Sequence, residues 1–200
     1  MQRSIMPPDR IVLGADSLLS VEYFDSLDKI ASRTCPLLQK GAIALSGGTT
    51  YTQLFPLWLA FCRSFPDASF FPVDDRVVPF EDPRSNWGTA YRHFLKPAGK
   101  ESDKAHFASS EQQYRDILYT CFGSTAPVFD VIFLGVGDDG HTASLFPGSA
   151  YLNDRSSLVL STKSPKPPVE RITLAPGVIK NARHVVAVLW SSKKKKVWNG

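Results

Sequence analysis

The sequence is poor in cysteine and methionine, with three and two in 200 residues, and it lacks any apolar run long enough to span a bilayer. Its first ten residues, MQRSIMPPDR, hold no hydrophobic stretch ahead of a small-residue cleavage site, so no secretory leader is expected. Cys35, Cys62 and Cys121 are odd in number, far apart and set in apolar surroundings. None has metal-ligand spacing, and they are expected to be buried free thiols in a reducing compartment. A broad field of one charge is missing too. The net +4 arises from Lys193, Lys194, Lys195 and Lys196, without which basic and acidic residues balance at 19 each. A single lysine run of this kind reads as a solvated helix face rather than a nucleic-acid patch. Also absent are the Gly-x-Ser-x-Gly elbow of a serine hydrolase, the Gly-Lys-Ser/Thr ending of a nucleotide P-loop, and any His/Cys/carboxylate cluster with metal spacing. There is no internal repeat and no linker. The expectation is one soluble domain over residues 1–200, cytoplasmic and monomeric, with no cofactor, no metal, no membrane and no nucleic-acid partner.

What is present is an alternation of helix and strand patterns. Ile11, Val12 and Leu13 begin a strand. Spacing of three through Leu18, Val21, Phe24, Leu27 and Ile30 predicts a helix from an N-cap at Asp16 to a stop at Pro36. Residues 41–46 form a short apolar strand, followed by Gly47-Gly48-Thr49-Thr50 and an amphipathic helix on Tyr51, Leu54, Leu57, Trp58 and Phe61. Residues 68–73 are the next strand, with Pro72 as its last paired residue because proline cannot donate to a ladder. Asp74-Asp75-Arg76 stands at its end. Ser85-Asn86 caps a further helix, residues 111–122 form another, and residues 128–134 are a buried strand. Strands at 157–161, 171–174 and 184–190 complete the pattern, with a short helix from Pro176. Such alternation predicts an α/β fold on a mostly parallel sheet, whose strand ends share one rim.

Three polar segments meet on that rim. Strand, Gly-Gly-hydroxyl turn and helix make an anion-binding arrangement at residues 46–49, since backbone N–H groups and the helix dipole both favour a phosphate. Without the P-loop lysine, a sugar phosphate suits it better than ATP. Asp74-Asp75-Arg76 is either part of a site or a local ion pair. Residues 135–140, GVGDDG, match the dinucleotide fingerprint literally, but Pro147-Gly148 leaves room for barely two helical turns, and the next strand does not end in an acidic residue. The same loop carries His141, the one histidine set among glycine and polar residues at a strand end. It is the candidate general base, with Asp139 to orient it or a water. His93 is expected to be a surface or satisfied core histidine, and His106 has no motif around it.

ALSGGTT (44–50), DDRVVPFEDPRSN (74–86), GVGDDGHTASLFPG (135–148) and RITLAPGVIKNAR (171–183) together resemble the 6-phosphogluconolactonases, in order and spacing along nearly the whole chain. The resemblance implies a three-layer αβα, Rossmann-like fold related to the glucosamine-6-phosphate deaminases. It implies hydrolysis of 6-phospho-D-glucono-1,5-lactone to 6-phospho-D-gluconate without a metal. Carried over, His141 is the base and Asp139 its partner. Substrate and phosphate contacts fall on Ser46, Gly47, Gly48, Thr49, Asp74, Arg76, Asn86, Gly140, Arg171 and a lysine after the last strand, most simply Lys193. The chain departs from the family pattern with Asp75 for a usual glutamate, Asp138 for a common proline and Trp190 for a usual glycine. The family generally continues with a further helix and strand, so the expected domain is shortened at its C-terminal end. Two rival readings are a deaminase/isomerase, although Leu145-Phe146-Pro147 replaces the acidic motif of those relatives, and a non-catalytic sugar-phosphate-binding protein.

Overall fold

Residues 10–12, 18–20, 22, 24–62, 64–123 and 126–190 are described in the structure, a computed structural model. In chain order they form strands β1 (Arg10–Val12) and β2 (Leu18–Ser20), helix α1 (Leu27–Thr34), β3 (Lys40–Leu45), α2 (Thr49–Phe61), β4 (Asp67–Pro72), β5 (Asp74–Arg76) and α3 (Asn86–Ala90). There follow α4 (Glu111–Phe122), β6 (Val131–Gly135), β7 (Val159–Lys163), β8 (Glu170–Leu174), α5 (Pro176–Lys180) and β9 (His184–Val188). Four strands run parallel in the order β4-β3-β6-β9. A parallel sheet covered on both faces needs apolar side chains at successive positions, which is how β3 and β6 read.

The period of two then sorts those side chains into two cores. Ile43, Leu45, Val131 and Phe133 point to one face, where they pack with Ile30 of α1, Tyr51, Leu54 and Trp58 of α2, and Trp87 of α3. Ala44, Ile132 and Leu134 point to the other, with Tyr114 and Leu118 of α4 and Val178 of α5. Helix, sheet, helix is the three-layer αβα arrangement the sequence led us to expect. Among the described residues no helix is long and apolar enough to cross a membrane.

A second sheet was not expected. Strands β5, β8 and β7 pair antiparallel in the order β5-β8-β7, so Asp74-Asp75-Arg76 is a strand rather than a loop. Val73 is the junction: its N–H donates to Leu45 O of the parallel sheet, and its carbonyl accepts from Leu174 N of the antiparallel one. Pro72 is the last residue paired with β3, opposite Leu45, as its missing N–H requires.

Three further expectations need correction. The helix predicted from Asp16 begins only at Leu27, and Leu18–Ser20 is a strand paired with β1. Ser26 is the N-cap, with extended dihedrals and a hydroxyl that accepts the N–H of Lys29, so residues before it cannot continue the helix. Strand β7 starts at Val159 rather than Ser157, because the Asp154 carboxylate draws the N–H groups of Ser156 and Ser157 into a turn. The cysteines are not three buried free thiols. Cys35 and Cys62 are joined in a disulfide that ties the end of α1 to the end of α2, with Cα atoms 5.7 Å apart, and Cys121 is free and exposed.

The amino ends of the central strands are bolted by one carboxylate. Asp130 Oδ2 accepts from Ala42 N at 2.9 Å, and Oδ1 is paired with the Arg183 guanidinium. Gly41 passes directly against it with φ +84°, and a Cβ there would lie 2.1 Å from Asp130 Oδ2. Gly41→Ala combines left-handed strain with a steric conflict and is expected to cost about 3 kcal/mol. For a chain of this size a thermal melt should fall by roughly 6–12 °C; an unchanged melting temperature would contradict the assignment.

Candidate active site

At the carboxyl ends of the parallel strands lies a cleft of about 400 Å³, within the range of small-molecule sites. Four segments wall it. Residues 46–50 enter from the β3–α2 turn, Asp74, Arg76 and Asn86 from β5 and the start of α3, residues 135–146 from the loop after β6, and Ser164, Lys166 and Arg171 from the β7–β8 hairpin. The first three are the segments the sequence placed on one rim.

The glycine turn has the geometry its residues dictate. Gly48 is the N-cap of α2 with φ 86° and no side-chain cap, so the first N–H groups of the helix are presented to the cleft. Gly47 is a glycine for another reason. The Asn86 amide lies across it, and an added Cβ would sit 2.2 Å from Asn86 Oδ1. Ser46 is buried and its hydroxyl accepts the N–H of Gly135 at 3.2 Å, tying this turn to the loop after β6. Tyr51 adds a second tie through its hydroxyl to Leu134 O, and full burial pushes its phenol well up from the ordinary value.

Two guanidiniums face this turn. Arg76 donates through Nη1 to the carbonyl of Arg84 at 2.6 Å, while its Nε is buried without a partner among the described residues. Arg171, on the paired position of β8, donates through Nε to Pro168 O. Burial and the neighbouring Arg76 charge lower its pKa, against the pull of Asp74 and Asp75. It stays cationic at any physiological pH. Two like charges at paired positions, Arg171 buried and Arg76 half-buried, are stabilised by an anion between them. Asp74 is engaged elsewhere, accepting from Ser144 Oγ at 2.7 Å.

His141 lines the same cleft from the loop after β6. Its Nδ1 is 2.5 Å from Asp139 Oδ1, and its ring lies against Phe146 with centroids 4.9 Å apart. Burial raises the Asp139 carboxyl, but hydrogen bonds and charge from His141 more than offset it and hold the group below the usual carboxylate range. An ionised partner fixes Nδ1 as the donor and leaves the Nε2 lone pair free.

Of the residues singled out in the sequence, Ser46, Gly47, Gly48, Thr49, Asp74, Arg76, Asn86, Asp139, His141 and Arg171 all line this cleft. Gly140 is in the turn beside it, with φ 83°, but does not line it. Lys193 lies outside the described residues. Sequence reasoning missed Ser144 and Lys166. Lys166 sits between prolines at the tip of a hairpin, and a lone cation so placed, five residues before Arg171, was the available signal. His93 is exposed, and His106 stacks on Phe71 with Nδ1 at 2.6 Å from Phe70 O, a satisfied histidine away from the cleft.

An α/β protein that sets a glycine turn at a helix N-terminus opposite an imidazole–carboxylate pair is the class this arrangement defines. More particularly, the chain belongs to the glucosamine-6-phosphate isomerases/6-phosphogluconolactonase family, whose model matches residues 22–200. It is 35% identical over 175 residues to the 6-phosphogluconolactonase of Rattus norvegicus, covering 78% of this chain and 66% of the relative. To 6-phosphogluconolactonase 3, chloroplastic, of Arabidopsis thaliana it is 39% identical over 142 residues, covering 62% and 44%. The match thus spans slightly under two thirds of the first relative's length and less than half of the second's. Among solved structures, 6-phosphogluconolactonase from Leishmania guyanensis superposes with a TM-score of 0.73 at 28% identity, over 90% of this chain and 84% of that one.

Proposed function

We propose that the protein hydrolyses 6-phospho-D-glucono-1,5-lactone to 6-phospho-D-gluconate, the second step of the pentose phosphate pathway. The observation that carries this reading is the 2.5 Å pair of His141 and Asp139 facing, across one cleft, a glycine turn and two guanidiniums. Acid–base chemistry and anion recognition then share one cleft. Relatives named as 6-phosphogluconolactonases supply the substrate's identity.

In the proposed reaction a water lies between His141 Nε2 and the lactone carbonyl. Nε2 takes its proton as the oxygen attacks, and Asp139 steadies the imidazolium that forms. The tetrahedral oxyanion is met by N–H groups of the loop after β6. As it collapses, the bond from the carbonyl carbon to the ring oxygen breaks, and His141 returns the proton to that oxygen. The phosphate is held by the first N–H groups of α2, Thr49, the free Nε of Arg76, and Arg171. Lys166, already in the cleft, is a further cation for the phosphate beside the expected Lys193, which lies outside the described residues.

A progress curve of lactone hydrolysis, with spontaneous opening subtracted, tests the reading directly. Arg76→Ala removes a charge-assisted contact worth about 1.5–3 kcal/mol, so KM should rise roughly ten- to a hundredfold with a smaller change in kcat. A wild-type protein with no rate above background would overturn the proposal, and ammonia release from glucosamine 6-phosphate would assign the amino-sugar branch instead.

A further inference from the structure

Asp75 takes no part in the chemistry just described and points away from the cleft, yet it is one of the best-connected side chains in the molecule. Its carboxylate is 5% exposed and accepts four hydrogen bonds. Arg76 N reaches Oδ1 at 2.7 Å and Asn86 N reaches the same oxygen at 2.6 Å, while Ser85 Oγ and Trp87 N reach Oδ2 at 2.8 and 3.1 Å. The donors come from the two ends of one surface loop. Arg76 opens it, and residues 85–87 close it as the cap and first turn of α3. A single buried anion therefore draws both ends of the segment 77–84 together.

Both ends carry cleft residues. Arg76 extends from the first end and is steadied by Arg84 O from within the loop, itself fixed by the Asp82–Arg84 pair. Asn86 extends from the second end and lies against Gly47 of the anion turn, with its amide also reaching Asp74 O at 3.4 Å. The Asp75 carboxylate thus determines where a guanidinium and an amide stand relative to the N-terminus of α2, without touching the cleft's contents.

We propose that Asp75 is a positioning residue for anion binding: it clasps the 77–84 loop so that Arg76 and Asn86 face the glycine turn. This inference rests on the sugar-phosphate reading above and adds to it the group that holds its anion contacts in place. The other titratable and charged groups facing Asp75 are Asp74 and Arg76 on β5, Arg171 on β8, and Tyr114 on α4, whose hydroxyl is committed to Pro72 O. Burial pushes the Asp75 carboxyl up to about 6, although Ser85, Asn86, Trp87 and Arg76 pull against it. Stability from the neutral group is fully present below the ordinary value of 3.8 and is lost as pH rises through about 6. Asp75→Asn is therefore not expected to unfold the protein at pH 8.

The test compares wild type, Asp75→Asn and Asp75→Glu by calorimetric binding of 6-phosphogluconate at pH 8, where the informative quantity is the ratio of Kd values, variant over wild type. For Asp75→Asn it should be roughly ten. The glutamate variant, which keeps the charge, should stay within about threefold of wild type at pH 8. Limited trypsinolysis at pH 8 supplies a readout free of ligand: cleavage after Arg84 should be several-fold faster in Asp75→Asn. A ratio near one at pH 8 would overturn the proposal, as would equal cleavage rates. Wild-type protein that binds no 6-phosphogluconate would instead sink the sugar-phosphate reading, and the cleavage comparison would still decide the clasp.

Discussion

Replacing His141 by alanine is expected to lower kcat for lactone opening by about 10²–10⁴-fold, the usual contribution of a positioned acid–base group. KM should move by less than about threefold, because the anion-holding groups are carried by other segments of the cleft. The effect should be confined to turnover. The His141 side chain is one-third exposed and its polar contact is to Asp139 alone, so its removal leaves no buried group unpaired. Asp139 would lose the partner that holds its carboxyl low and relax towards the ordinary value, without consequence near neutral pH. Circular dichroism and a thermal melt should therefore match wild type. A folded His141→Ala protein that hydrolyses the lactone at the wild-type rate would remove the histidine from the mechanism.

The largest loss of stability is expected at Trp58. This side chain is fully buried at the centre of an aromatic cluster, with ring centroids 6.0 Å from Tyr51 and Phe55, 5.7 Å from Phe94 and 5.2 Å from Phe133. Its indole N–H donates to Thr34 Oγ1 at 2.9 Å, which links α2 to α1. Trp58→Ala should cost about 3–5 kcal/mol, most of it from the cavity. The hydrogen bond matters less than the void, because Thr34 Oγ1 keeps its own acceptor at Ile30 O. In urea, with a slope of about 2 kcal/mol/M, the midpoint should fall by roughly 2 M. A loss under about 1 kcal/mol would mean that the surrounding rings collapse into the space.

Much of this architecture was legible in the sequence because its signals are local. The apolar runs of β3 and β6, the glycine turn and the Ser85 cap each announce themselves within about ten residues, and so does the His141–Asp139 pair, two positions apart. What escaped depends on distant partners. Strand β5 has three charged residues and no apolar period; it is a strand only because Ile172 and its neighbours come back to pair with it about a hundred residues later. The Cys35–Cys62 pairing likewise follows from α1 packing beside α2, which spacing alone does not reveal. The spacing of three through Leu18, Val21 and Phe24 suggested a helix that the Ser26 cap forbids. Lys166 was hidden in a proline-rich stretch that carries no periodicity, and it acquires significance only when the hairpin folds over the cleft.

The Asp130 bolt gives the molecule two poles. At one end of the parallel strands that carboxylate secures Ala42 and Arg183, and the Asp130 backbone carbonyl accepts the N–H of His184, so β3, β6 and β9 are gathered at the end away from the cleft. Their other ends carry the loops that wall the cleft. Mutations should therefore separate by assay: those at the bolted pole change melting temperature with kcat intact, and those at the open pole do the reverse. A designer seeking a hardier protein would work on the first set, while changes of substrate would be sought in the second. Neither group need compromise the other, since the length of a β-strand stands between them.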